Sequence, residues 1–135
     1  MTLIEVVVAL AITVLTISGI VSGYIYCSKA TVKSALYFTA NAQANARMEQ
    51  VRAARWDTSS YPAVDQLVST NFPDLAVTLD KVTSGPEATS ATVKTTILPI
   101  STTPPLRRIR VDCIWLFQGT ELITNTIETC RSPDQ

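Results

Sequence analysis

Residues 6–28 contain no Lys, Arg, Asp or Glu. As a helix rising about 1.5 Å per residue they span roughly 35 Å, enough to cross a hydrocarbon core of about 30 Å. A helix apolar on every side needs lipid or other helices around it. Residues 1–28 therefore stand outside any soluble core, and about 107 residues of the 135 remain for one small head. One charged side chain, Glu5, stands at the N-terminal end of this run. A carboxylate costs roughly 2.5 kcal/mol or more at the centre of a bilayer and less near its surface. A residue kept at such a cost reads as functional, and its nearest candidate partner is the α-amino group at Met1.

The same low charge density continues along the chain. Eleven basic and eleven acidic residues cancel, and charged residues make up 16% of the sequence, against about 25% in ordinary soluble domains. A neutral balance gives no reason to expect a nucleic-acid partner. A sparsely charged surface suits packing against other proteins or copies of the same chain. There is no histidine and no CxxC pair, which argues against the usual zinc sites and against His-dependent catalysis. Asp57, Asp65, Asp74 and Asp80 lack the spacing of a calcium loop. No phosphate loop or nucleophile motif is present. The reading is a chain with no cofactor or metal and no enzymatic activity.

Residues 2–55 contain no proline, which predicts one long helix. In its second half Val32, Leu36, Ala40, Ala44, Met48, Val51 and Arg55 recur every three or four residues. Lys33, Asn41, Asn45, Glu49 and Arg52 mark the other side. That pattern gives one dry face to lay on a sheet. Ser18-Gly19 and Ser22-Gly23 interrupt the first half, and two uses for Gly19 and Gly23 stay open: local bending or unwinding, or close approach of neighbouring helices.

Beyond the helix the pattern changes. Residues 56–73 read as a connector, with 63–69 as one or two helical turns. Strands are expected at 75–79, 91–98, 106–117 and 121–129, with turns at Gly85-Pro86 and at Gln118-Gly119-Thr120 and a stiff polar loop at 102–105. In the third strand Ile109, Val111, Cys113, Trp115 and Phe117 share one face, and Arg108, Arg110 and Asp112 begin the other. The expected fold is α+β: a long helix whose second half packs on an antiparallel sheet of about four strands. Residues 1–28 form the protruding apolar helix and 29–135 the head, with the sheet at 74–130 and a short tail. Arg107, Arg108 and Arg110 read as a solvated strand face that discourages edge pairing, and Trp56, Tyr61 and Phe72 as core around the connector. The Ser/Thr-rich stretches 83–96 and 101–103 are candidate glycosylation sites.

Cys27 lies in the apolar helix, whereas Cys113 and Cys130 lie in the head. In a head outside the cytoplasm, three cysteines suit one disulfide and a spare thiol, so Cys113–Cys130 is the expected pair. A two-residue turn at Gly119-Thr120 sets Thr126 opposite Cys113, so this disulfide requires a longer turn, a bulge or a curled strand end. The first basic residues, Lys29 and Lys33, follow the apolar run, which by the positive-inside rule alone puts the head in the cytoplasm. Both expectations hold together if a short basic leader preceded Met1 and was removed, leaving Met1 as a mature N-terminus.

The junction Met1-Thr2-Leu3-Ile4-Glu5-Val6-Val7-Val8-Ala9-Leu10, continuing into the apolar run, resembles the N-terminus of type IV pilins and type II secretion pseudopilins. The resemblance covers about 28 residues closely and the helix-plus-sheet layout loosely. It implies a subunit held in the inner membrane, matured by a prepilin peptidase that also N-methylates residue 1. The pilus assembly machinery would then polymerise it with copies of itself into a cell-surface or extracellular filament. It also implies that Glu5 pairs with the N-terminal amine of a neighbour, a head-to-tail contact of the kind that builds open filaments. Position 1 is Met here, where the family usually has Phe. The first proline is Pro62, so any melting of the apolar helix relies on the Ser-Gly pairs. Two other readings stand beside this one: a low-copy subunit at a filament tip, and a membrane-anchored binding domain that never polymerises.

Overall fold

The computed structural model describes residues 2–80 and 88–134. A single helix, α1, runs Leu3–Ala53. The chain divides into two compact units, Met1–Ala35 and Leu36–Gln135. Within the first, the apolar side chains of α1 face outward all round: Leu3, Ile4, Leu15 and Ile20 are each at least 70% exposed.

In the second unit the dry face predicted for α1 is buried, through Leu36, Ala40, Ala44, Met48 and Val51. Its two alanines present little bulk where the helix lies on the sheet. The opposing surface comes from strands β3 (Leu75–Thr78), β4 (Ser90–Thr102), β5 (Pro105–Phe117) and β6 (Glu121–Arg131). They form one antiparallel sheet in the order β3-β4-β5-β6. Alternation along β5 puts Ile109, Val111, Cys113, Trp115 and Phe117 in the core. Each large apolar side chain buried this way contributes about 1.5–3 kcal/mol. Trp56, Leu67 and Phe72 fold in from the connector and Leu79 from just past β3, and together they close the core. The structure is thus the expected α+β arrangement.

Four local features differ from the sequence reading. First, the connector is not helical at 63–69. Strands β1 (Trp56–Asp57) and β2 (Val64–Asp65) pair antiparallel, and a 3-10 turn follows at Ser69–Asn71. Asp57 starts the intervening loop by accepting the N–H groups of Ser59 and Ser60 at 2.9 and 3.0 Å, which competes with helix formation. The end of the loop is held by Arg107, whose guanidinium binds both carboxylate oxygens of Asp65 at 2.7 and 2.6 Å.

Second, β4 continues through Pro99 to Thr102. Its register with β5 shifts between Pro99 and Ser101, which leaves Ile100 as the bulged residue. Proline is tolerated because β4 pairs with β3 only as far as Val93, so this part of β4 is an edge.

Third, the β5–β6 loop has three residues. Phe117 pairs with Glu121, and Gln118 and Gly119 both adopt positive φ, 50° and 71°. Two left-handed central residues suit the right-handed twist of a hairpin. The pairing is therefore one residue out from a two-residue turn, and Asn125 rather than Thr126 lies opposite Cys113.

Fourth, that register rules out the Cys113–Cys130 disulfide. Cys130 lies opposite Arg108, five residues from Cys113 and so roughly 17 Å along the strand and on the other face. Cys113 is buried, Cys130 is exposed, and Cys27, Cys113 and Cys130 are all free thiols. Burial pushes the Cys113 thiol pKa upward. The turn expected at Gly85-Pro86 and part of the Ser/Thr-rich stretch lie outside the described residues.

Candidate functional site

The first unit carries the candidate site, and its polar groups are few. Thr2 is the N-cap of α1: its carbonyl accepts the Glu5 N–H at 3.0 Å. The Glu5 carboxylate reaches back, its Oε2 accepting the Thr2 N–H at 2.9 Å and the Thr2 hydroxyl at 3.4 Å. Thr-x-x-Glu is the capping-box pattern, and its return half is formed here: the Glu5 side chain takes the N-cap N–H, while the Glu5 N–H goes to the Thr2 carbonyl. The sequence analysis pairs Glu5 with an N-terminal amine, although Thr2-Leu3-Ile4-Glu5 also carries the signal for this local role. Met1, the proposed source of the pairing amine, lies outside the described residues.

Farther along, three hydroxyls in the apolar run turn back onto their own helix. Thr13 donates to the Ala9 carbonyl at 2.7 Å, Thr16 to Thr13 at 2.8 Å and Ser18 to Leu15 at 2.9 Å. A hydroxyl satisfied in this way can face lipid at little cost, because its donor already has a partner. Gly19 and Gly23 sit in unbroken helix, and a Cβ at either would meet nothing within 4 Å. Nothing inside the chain requires glycine at these positions. Among the described residues α1 is the one helix long and apolar enough to cross a membrane, and none of that stretch is buried.

The second unit disperses the other candidates. Arg107, Arg108 and Arg110 do not form a basic patch. Arg107 turns inward over the Trp56 ring, 4.4 Å from its centroid, and also donates to the Leu67 carbonyl at 2.6 Å. The Arg107 guanidinium holds the Asp65 carboxyl below the usual carboxylate range, and Asp65 in turn raises the Arg107 pKa. Arg108 and Arg110 face outward and pair with Glu128 and Asp112, both at 2.9 Å. Trp56 and Phe72 are core residues, whereas Tyr61 is fully exposed. Among the described residues no group of three or more His, Cys, Asp or Glu is placed to hold a metal ion.

Two constellations escaped the sequence reading. Trp115 donates its indole N–H to Asn125 Oδ1 at 3.0 Å, and Asn125 donates onward to Asn41 Oδ1 at 3.0 Å and to the Tyr37 carbonyl at 3.4 Å. The helical spacing puts Asn41 on the wet side of α1, yet it is half-buried and bonded to Asn125. An asparagine at the inward position between Ile123 and Ile127 was the legible sign of this network. At the other end of the packed helix, Arg131 donates to the carbonyls of Val51 and Ala54 at 3.1 and 2.6 Å, a basic cap on orphan carbonyls. Asp134 completes this end: it pairs with Arg131 at 2.6 Å and accepts the Trp56 N–H at 2.9 Å. That N–H and Arg131 together lower its carboxyl pKa. These groups organise the head.

No family model, characterised protein or solved structure matches this chain.

Proposed function

We propose that this chain is a pilin-like structural subunit. It is held in a membrane by the first part of α1 and polymerises into a filament through that same helix. The observation that carries the reading is the first unit itself: a helix with outward apolar side chains on every side and, at its start, one carboxylate. In a bundle of such helices each apolar surface is covered by neighbours. Glu5 then meets the N-terminal amine of the next copy, which relieves the cost of burying either charge alone and sets the axial register. The resemblance of residues 1–10 to the pilin and pseudopilin junction supports the same role. On this reading the peptidase, the assembly machinery and the other copies of the chain are its partners.

The Thr2–Glu5 capping box favours a second reading, an anchored domain that never polymerises, because it gives Glu5 a purpose within one chain. Glu5→Gln separates the two. Glutamine serves a capping box as well as glutamate does, but it cannot neutralise an amine. The expected result is an unchanged level of Glu5→Gln subunit in the membrane with filaments lost, by electron microscopy of cells expressing each form. Filaments at the wild-type yield from Glu5→Gln would remove the charge-pairing role. A wild-type chain that forms no filament would leave the anchored domain.

A further inference from the structure

We propose that Tyr24, Tyr26 and Lys29 form an interfacial collar that binds anionic lipid headgroups and fixes the depth of α1. The same depth places Glu5 in the headgroup layer of the opposite leaflet. The inference rests on the membrane-held state proposed above and adds to it a lipid class, the residues that read it and a position for the carboxylate.

Length supplies the first argument. Lys29 follows Glu5 by 24 positions, which is about 36 Å in the continuous helix. A hydrocarbon core of about 30 Å leaves roughly 3 Å beyond it at each end. Both charges therefore reach the headgroups at once, and a shift of one helical turn in either direction pulls one of them into the core.

The side chains supply the second. Tyr24 and Tyr26 are both 75% exposed, and they lie about 200° apart around the helix at roughly 100° per residue. Their rings flank opposite sides about 5–8 Å below Lys29, where an apolar ring with a polar tip is most stable. Lys29 is exposed and extends its ammonium outward over a flexible apolar stem. Lys33 follows one turn later on the same face. Between the ends, the inward hydrogen bonds of Thr13, Thr16 and Ser18 satisfy three of the hydroxyls that would otherwise resist hydrocarbon.

The collar has a consequence for Glu5. In a lone subunit the carboxylate is solvated among headgroups and held by its capping box. Withdrawal of α1 through the bilayer toward its C-terminal side drags that charge into hydrocarbon, so the collar and Glu5 together resist displacement.

The test uses the full chain with Cys130→Ser, so that Cys27 is the one exposed thiol. Cys27, two residues before Lys29, carries a fluorophore. The protein is reconstituted into phosphatidylcholine vesicles with or without phosphatidylglycerol. Quenchers are attached at the headgroup or at acyl carbon 5 or 12. The expected profile is strongest quenching from the headgroup and carbon 5, with phosphatidylglycerol raising vesicle partition. Lys29→Gln should let the helix sink until Lys33 takes over, moving the label about 6 Å inward and lowering the phosphatidylglycerol effect roughly fivefold. Lys29→Arg should restore both. A wild-type label quenched best from carbon 12, or a Lys29→Gln chain with unchanged depth and lipid preference, overturns the collar while membrane residence stands. Failure of the wild-type chain to float with any vesicle removes both.

Discussion

Asp65 shows how much one residue organises in a chain with few charges. Its carboxylate binds Arg107 in bidentate fashion and also accepts the Leu67 N–H at 3.2 Å. Arg107 is thereby fixed over Trp56, and the connector is closed against the sheet. Because the folded form lowers the Asp65 pKa, its stabilising effect is full above the unfolded carboxylate value of about 3.9. It is lost as pH falls from there through the lowered folded value. Asp65→Asn should therefore destabilise the head by about 1 kcal/mol at pH 7, a figure held down by the exposure of the pair. The difference from wild type should shrink as pH drops below 4. Urea midpoints for both forms at pH 7 and pH 3 check this. A difference that is equal at the two pH values would place the effect in packing rather than in the ion pair.

At the scale of elements, the central fact is that α1 and the sheet are joined by a polar tie inside an apolar core. Asn125 is 2% exposed and Trp115 1%, and the amide links Trp115 on β5 to Asn41 on α1. Asn125→Ala leaves the Trp115 indole N–H buried without its partner, and an orphaned donor costs about 1–3 kcal/mol. The expected loss is about 2–3 kcal/mol, including the small cavity, whereas Asn41→Ala should cost about 1 kcal/mol because Asn41 is only half-buried. A double-mutant cycle by chemical denaturation should give a coupling of at least about 0.5 kcal/mol, and strict additivity would show that the tie contributes nothing as a unit. The elements on either side of this tie were legible in the sequence, because hydrophobic spacing of three or four residues and of two residues reports burial directly. The tie was not. A solvent-side asparagine on the helix and an inward asparagine on a strand become partners only once the register is set. That register depended on a three-residue loop with Gln118 in a left-handed conformation, which a residue other than glycine does not advertise. The disulfide fails on distance in either register: the expected turn already set Thr126 opposite Cys113, and the observed one leaves Cys130 five residues along the strand and on the other face. The paired strands at Trp56–Asp57 and Val64–Asp65 were hidden because long-range Arg107 contacts, not local propensity, hold them.

At the scale of the molecule, the legible and the hidden parts divide along the two units. The first unit is almost entirely local: its helix, its apolar surface and its capping box can be read from adjacent residues, and so could the candidate site. The second depends on contacts distant in sequence, where pattern alone gives faces but not partners. The same division predicts how the chain loses structure. Side chains of the head are held by one cooperative core that includes both tryptophans, whereas residues 3–35 have no such core and are helical by backbone bonding that lipid or detergent strengthens. Of the 51 residues of α1, 33 lie in the first unit, about two-thirds of the helical signal. Heating the full chain in detergent micelles should therefore abolish the near-ultraviolet circular dichroism of Trp56 and Trp115 in one transition while most of the far-ultraviolet helical signal survives it. Residual helicity near two-thirds of the starting value supports independent units. Coincident and complete loss of both signals would mean that the helix in the first unit depends on the folded head, and a single two-state stability would then describe the whole chain.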